Sequence, residues 1–432
     1  MNYATKYVTA LDLGSSQFVA VTGRINENRQ LEIAGLVTRP AEGIRKGTIV
    51  NVEEASGAIN QMLDKLSKQT GLHIDSLVTG IGGQQIKSRV KSIERSFENP
   101  QHEILAKEVE EMKKYLSQQT AEEGYEVLTI VPESFQVDGE KGIQNPTGAF
   151  GKKLVGNFHV LSAREISIQN LEKSIVRSGH ELQELYFTSL AEATVVLHED
   201  EKEAGVALVN FGGGNTSISI FLDKRLIHTA IIPFGGEIIT SDIKEGCSVL
   251  QRQAEMLKVQ FGSALAELSD EHKVVAIPGI SGRKPKEISF RNLAFIIQAR
   301  MEEILDAVMI EIDKSGVADR LSAGIVLSGG GAQLSHLAEL INIKFGYDVR
   351  IGYAEQAGME QLHADLKNPA LSSALGLLHQ GLQHAHLFTS SQETQEKKKG
   401  QSNNLKDEGP KEENRIISNL RKRITSLFDE VN

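Results

Sequence analysis

Three glycine-rich turns, each running directly out of a strand-like segment, constrain this chain more tightly than any other feature. The first, Asp12-Leu13-Gly14-Ser15-Ser16-Gln17, lies between a β-branched and aromatic run at 7–13 and a second such run at 18–24. The second, Asn210-Phe211-Gly212-Gly213-Gly214-Asn215-Thr216, has the same setting between 206–211 and 216–222 and nearly repeats the first. The third, Ser328-Gly329-Gly330-Gly331, follows a strand-like 323–327 and precedes helical spacing over 334–345. Glycine admits backbone conformations that other residues resist, and it lets N–H groups approach an anion closely. Two facing hairpin turns of this design can hold a polyphosphate, and the third can accept a nucleoside. One such turn is no more than a tight hairpin needs. Three in this order, the first two in strand–turn–strand context, point to an α/β nucleotide-binding fold.

The remaining pattern agrees with an α/β chain. Strand-like runs recur at 31–37 and 77–81, and 52–68 carries Ala55, Ile59, Met62, Leu63 and Leu66 at helical spacing. Helical patterns also cover 166–178, 248–268 and 291–314. With 432 residues, 40% hydrophobic and 24% charged, the chain has material for about two to four units with real cores. Its formal net charge of -10 argues against nonspecific nucleic-acid binding. The single cysteine, Cys247, cannot form an internal disulfide and reads as a small buried hydrophobe. No Cys/His cluster has zinc spacing. Met1 to Ala10 lacks the pattern of a secretory signal, and no apolar run approaches the roughly 20 residues needed to cross a bilayer. The protein is expected to stay in the cytoplasm.

After Gln383 the composition changes. Residues 389–414 hold almost no large apolar side chain and many Gln, Ser, Asn, Lys and Glu, so 384–413 is expected to be a flexible linker. Beyond it, 414–432 has a helical stripe. At about 100° per residue, Ile416, Ile417, Leu420, Ile424, Leu427, Phe428 and Val431 fall within an arc of roughly 120°, with Arg421 and Arg423 just outside its edges. Such arginines can snorkel, stem on lipid and charge in water. Half-burial of the stripe contributes about 5–10 kcal/mol, and each basic residue near anionic lipid adds about 1 kcal/mol. Ordering a helix that is marginal alone in water opposes this. The stripe predicts an in-plane membrane helix; docking on the body or on a partner is the alternative.

On these turns the chain resembles the actin/Hsp70/sugar-kinase ATPase superfamily and, within it, the FtsA family of bacterial cell-division proteins. The resemblance covers about 7–382. It is carried further by Gly43-Ile44-Arg45-Lys46-Gly47, by Pro132-Glu133-Ser134-Phe135 with Asn145-Pro146-Thr147-Gly148, and by Ile232-Pro233-Phe234-Gly235-Gly236. Ala254-Glu255-Met256-Leu257-Lys258 and the segment around Ala299-Arg300-Met301-Glu302-Glu303 also follow the family. It implies two RNase H-like halves around a nucleotide cleft: 1–81 with 162–203, and 204–242 with 319–383, whose last helix, near 368–378, returns to the first half. An inserted subdomain would span 82–161 and a smaller one 243–318.

The resemblance implies ATP held by Asp12, Gly14, Ser15, Ser16 and Gln17, by Asn210, Gly212, Gly213, Gly214, Asn215 and Thr216, by Gly235 and Gly236, and by Gly329, Gly330 and Gly331. Glu255 and Lys258 would meet the ribose and adenine, and Mg2+ would be held through water by Asp12 and Asn210. Two departures bear on chemistry: Gln17 stands where most relatives have lysine, and Asn210 where they have aspartate. Gln17 supplies no charge for phosphoryl transfer, and Asn210 should hold the cation less well than an acid. Very slow hydrolysis follows, unless neighbouring residues supply the missing charges.

The implied partners are the C-terminal tail of the tubulin-like protein FtsZ, further copies of the chain in a filament, the anionic membrane surface and later division proteins. The tail site would lie in 243–318, where Arg283, Lys284, Lys286, Arg291 and Arg300 give local positive charge, with Arg291, Arg300 and Glu303 as candidate contacts. The expected location is the cytoplasmic face of the membrane at the division site. A small-molecule kinase of the same fold would need a carboxylate base beside its acceptor hydroxyl, and the sequence singles out none. An Hsp70-like chaperone would need a substrate-binding domain after the ATPase.

Overall fold

The computed structural model describes residues 7–26, 30–119, 122–279, 284–356, 359 and 363–399, with backbone alone from 386. The chain opens with β1 (Val8–Leu13), β2 (Gln17–Ile25), β3 (Leu31–Pro40), the short β4 (Ile44–Arg45) and β5 (Thr48–Ile49), α1 (Val52–Thr70) and β6 (Ser76–Ile81). β1 and β2 are the antiparallel arms of the first glycine turn, pairing from Val8 with Gly23 to Leu13 with Phe18. β6 returns parallel to β1, which demands a crossover, and α1 supplies it. The helix starts at Asn51, whose side chain accepts from the N–H groups of Glu53 and Glu54, and stops at Gly71 in the left-handed region, φ 70°. Its periodic Ala55, Ile59, Met62, Leu63 and Leu66 are all buried.

Next come β7 (Ile86–Ser96), α2 (Ala106–Gln119), β8 (Tyr125–Val137), β9 (Glu140–Ile143), β10 (Lys153–Arg164), α3 (Glu165–Arg177), β11 (Glu181–Phe187), α4 (Thr188–Val196) and α5 (Glu199–Ala204). β11 lies parallel to β6, giving the sheet order β11-β6-β1-β2-β3. Leu11, Phe18 and Ala20 pack there under Ile59 and Leu63 of α1 and Leu171 and Ile175 of α3.

The second half contains β12 (Val206–Phe211), β13 (Thr216–Leu222), β14 (Arg225–Ile232), α6 (Gly236–Cys247), α7 (Gln251–Phe261), β15 (Val274–Ile277), β16 (Lys286–Ser289), α8 (Phe290–Lys314), β17 (Ile325–Ser328), α9 (Leu337–Phe345), β18 (Val349–Ile351) and α10 (Ser372–Lys399). Its order β14-β13-β12-β17-β18 repeats that of the first half. An antiparallel hairpin triple is followed by two parallel strands. Phe211, Ile218 and Ile220 of this sheet share a core with Ile297, Met301 and Ile304 of α8.

The described chain forms two compact units, 7–87 with 163–381, and 88–162 with the part of α10 from Leu382 onward. The second unit has the sheet order β7-β10-β8-β9. Phe135 and Phe158 meet edge-on in its core, centroids 5.6 Å apart. Its edge strand β7 carries Arg89, Lys91, Glu94 and Arg95, charges that discourage a further strand from pairing there.

Three sequence expectations shift. The helix expected over 248–268 is α7 alone, because the chain after Gly262 bonds sideways, Ala264 N–H to the Ser335 carbonyl at 2.8 Å. The helix expected from 334 starts at Leu337, after a 3-10 turn at Gly330–Gln333 and a left-handed His336 with φ 62°. The expected linker 384–413 begins as helix, since α10 runs to Lys399; its Gln, Glu and Lys are good helix formers, and no Gly or Pro intervenes before Gly400. The rest of that segment and the amphipathic 414–432 stretch, with Ile416, Ile417, Leu420, Arg421, Arg423, Ile424, Leu427 and Phe428, lie outside the described residues. No described helix is long and apolar enough to cross a membrane.

Candidate functional site

The larger unit contains a cleft of about 1400 Å³ lined from both of its halves. Asp12, Gly14, Ser15, Ser16 and Gln17 of the first turn face it. So do Asn210, Gly212, Gly213, Gly214 and Asn215 of the second, Gly235 and Gly236, Glu255 and Lys258, and Gly329, Gly330 and Gly331 of the third. Thr216 does not. It is fully buried, and its hydroxyl donates to the Phe234 carbonyl at 2.9 Å, bracing β13 against the turn before α6.

The first two turns touch through their glycines. A Cβ built on Gly214 would stand 2.5 Å from Ser15 Oγ and 2.7 Å from Lys46 Cα; one on Gly213 would stand 2.8 Å from Ser16 Cβ. Only residues without a side chain allow this approach. Ser15 Oγ in turn accepts the Gly47 N–H at 2.7 Å, fastening the 43–47 loop to the first turn. Helix α6 begins against the second turn. The N–H groups of Gly236 and Glu237 donate to the carbonyls of Gly212 and Gly213 at 2.9 and 2.8 Å, so the positive end of the α6 dipole is set there.

Two cleft carboxylates differ in how they are held. Burial pushes Asp12 up to about 6. Glu192, from α4, is 1% exposed. Burial raises it to about 7, against hydrogen bonds from Ser328 and Asn210 that favour its charged form, while the Asp12 charge adds to the rise. Asn210 Nδ2 donates to Glu192 Oε2 at 2.7 Å and to Ser373 Oγ at 3.3 Å, and the Ser328 hydroxyl donates to the other carboxylate oxygen. The sequence reading misses Glu192. The available signal is an acid inside the otherwise apolar run Leu190-Ala191-Glu192-Ala193, where a charge needs a partner.

Also lining the cleft, Lys258 Nζ donates to the Gly236 carbonyl at 3.0 Å, Thr240 Oγ1 at 2.8 Å and Glu255 Oε2 at 2.8 Å. Glu255 and Lys258 therefore meet one helical turn apart and tie α7 to the first turn of α6. Glu237, also missed, sits in that turn. Burial raises its pKa, and the charges of Lys258, Arg45 and Lys46 oppose the rise. Glu237 is thus within electrostatic reach of two cations of the 43–47 loop.

Arg300, Arg291 and Lys286, three of the basic residues singled out for a partner, are engaged within the chain. Arg300 forms a fork with Asp242 of α6, Nε to Oδ2 at 2.6 Å and the second nitrogen to Oδ1 at 3.1 Å, and it also bonds Glu303. Arg291 pairs with Glu271, and Lys286 Nζ donates to the Cys247 carbonyl at 2.5 Å. Arg283 lies outside the described residues. Cys247 is buried, as its reading as a small hydrophobe expects.

Comparison with known proteins agrees with this architecture. Residues 207–376 match the family described as Cell division protein FtsA, and 83–162 match the SHS2 domain inserted in FTSA. The cell division protein FtsA of Pseudomonas aeruginosa is 33% identical over 382 residues, covering 88% of this chain and 90% of that protein. Among solved structures, the PilM-PilN type IV pilus biogenesis complex aligns with TM-score 0.59 and 16% identity over 87% of this chain and 98% of that one. MreB5 of Spiroplasma citri bound to ADP aligns with TM-score 0.51 and 14% identity over 85% and 95%. The structural likenesses establish an actin-like fold, and the sequence likeness is specific: this chain belongs to the FtsA family of cell-division proteins.

Proposed function

We propose that this chain binds ATP with Mg2+ in the cleft, hydrolyses it slowly at most, assembles into filaments, and tethers the FtsZ ring to the cytoplasmic face of the membrane through residues 414–432. The observation that carries the nucleotide part is the convergence of three glycine turns from two halves on one cleft. ADP in MreB5, a protein of like fold, supports a nucleotide as the occupant.

Mg2+ demands oxygen ligands, keeps several waters, and is usually held by one or two carboxylates plus substrate phosphates. Asp12 offers a carboxylate and Asn210 an amide oxygen. Bound there, Mg2+ would neutralise phosphate charge. The chain's own part is to orient the phosphates on backbone N–H groups. Gln17 brings no charge to phosphoryl transfer, which supports slow turnover.

Filament assembly would make membrane attachment firm, because many weak tail helices would act together. The FtsZ tail is placed on the subdomain around Arg291, Arg300 and Glu303, and later division proteins on the inserted subdomain. Two measurements test the reading. ATP titration should give saturable binding with turnover far below the roughly 1–100 per second of kinases, and turnover in that range refutes it. Co-sedimentation with anionic liposomes should be lost on truncation before Asn414, and equal pelleting of both forms refutes the anchor.

A further inference from the structure

Asn210 brings no charge to the second turn, yet a carboxylate stands directly behind it. Glu192 is 1% exposed and lines the cleft, and its Oε2 accepts from Asn210 Nδ2 at 2.7 Å. Its other oxygen accepts from the Ser328 hydroxyl. Both oxygens therefore accept, which favours the ionised form against the burial that opposes it. The same contact fixes the Asn210 amide. Flipping it would set Oδ1 against a carboxylate oxygen, so the donor end must face Glu192 and Oδ1 must face away. Oδ1 is turned to the glycine turns, where a Cβ on Gly329 would collide with it and one on Gly212 would lie 3.9 Å off.

We propose that Glu192 is a positioning residue that supplies, from one hydrogen bond behind, the negative charge Asn210 lacks, and that holds the Asn210 carbonyl oxygen toward the hydrated Mg2+ of the bound nucleotide. This rests on the ATP–Mg2+ reading. A buried charge polarises the hydrogen bond it accepts and carries the effect to the far end of the amide. It also explains the amide at this position. An aspartate at 210 would set two carboxylates at hydrogen-bonding distance, where both cannot ionise.

The test uses the full-length chain as wild type, Glu192→Gln, Asn210→Asp and the double variant, which exchanges the charge at constant shape. ATP affinity is titrated with and without Mg2+, and melting is recorded at pH 8 with neither. Glu192→Gln should cut the Mg2+-dependent gain in ATP affinity about tenfold, while Mg2+-free affinity should rise, because a negative charge facing the phosphates is removed. Asn210→Asp should melt below wild type without nucleotide. The double variant should recover its melting and bring the Mg2+ gain to within about threefold of wild type. An unchanged Mg2+ gain in Glu192→Gln overturns the relay, as does a double variant no better than the worse single. If Glu192→Gln does not fold, the double variant decides, and its failure to fold also overturns the proposal. A wild type that takes no ATP overturns the nucleotide reading, and the relay with it.

Discussion

Replacing Gly214 with alanine tests whether the first two turns must touch for the cleft to work. The new Cβ would lie 2.7 Å from Lys46 Cα and 2.5 Å from Ser15 Oγ, where ordinary contact begins at 3.4 Å. Lys46 must therefore yield by about 0.7 Å at a backbone atom. It has little freedom, since its φ of 49° already lies in the left-handed region. Ser15 cannot simply swing away, because its Oγ holds the Gly47 N–H at 2.7 Å. Gly214 itself is not at positive φ, so alanine brings no backbone strain of its own and the strain falls on the approach of the two halves. A displacement of that size at the contact between the two turns should disturb the site they form, and we expect ATP affinity to fall at least about tenfold. Melting without nucleotide should move by less than about 3 °C, the scale of 1 kcal/mol in a chain this long. Adding Ser15→Ala removes the Oγ contact but leaves Lys46 Cα, so recovery should be partial. ATP affinity within about twofold of wild type in Gly214→Ala would refute the reasoning.

Other outcomes follow from named contacts. The Arg300–Asp242 fork joins α8 to α6 with side chains 28% and 25% exposed. A double-mutant cycle with Arg300→Ala and Asp242→Ala in urea should give a coupling of about 1 kcal/mol, discounted for exposure; a coupling near zero removes the tie. Arg300→Glu should lower stability as well as any tail binding, because the new acid would face Asp242 and Glu303, so melting must accompany that binding assay. Glu192 titrates at about 7, above the ordinary carboxylate range, so the folded state binds its proton more tightly than the unfolded chain does. Nucleotide-free protein in chelator should therefore lose stability as pH rises from the ordinary carboxylate range toward 7. The loss should be smaller in Glu192→Gln, and identical pH profiles for the two proteins would refute the assignment. Cys247 is buried and burial raises its thiol pKa, so a thiol reagent should label it only on unfolding; rapid labelling of native protein refutes that placement.

What the sequence discloses is what depends on neighbours along the chain. Alternating apolar runs closed by glycine reveal β1–β2 and β12–β13, because a hairpin is local, and the 3.6-residue stripe reveals α1 for the same reason. Helix α6 escapes this reading. It opens on two glycines and carries Ile238, Ile239 and Thr240, poor local signals, and its start is fixed by carbonyls of Gly212 and Gly213 more than twenty residues earlier. Arg300 looks like free surface charge until Asp242, 58 residues away, is placed beside it. The two departures from the family, Gln17 and Asn210, are the sharpest case. Taken one at a time, each is a lost charge, and the expected result is a weaker cation site that an aspartate at 210 would mend. In the folded chain the charges of Arg45 and Lys46 act on Glu237 beside the second turn, and Glu192 stands behind Asn210. Electrostatic attraction acts on distance and not on sequence position, so the charge within reach of the cation decides affinity, not the residue at 210 alone. An aspartate at 210 should then cost stability in the empty site, because it adds a second carboxylate where one is already held.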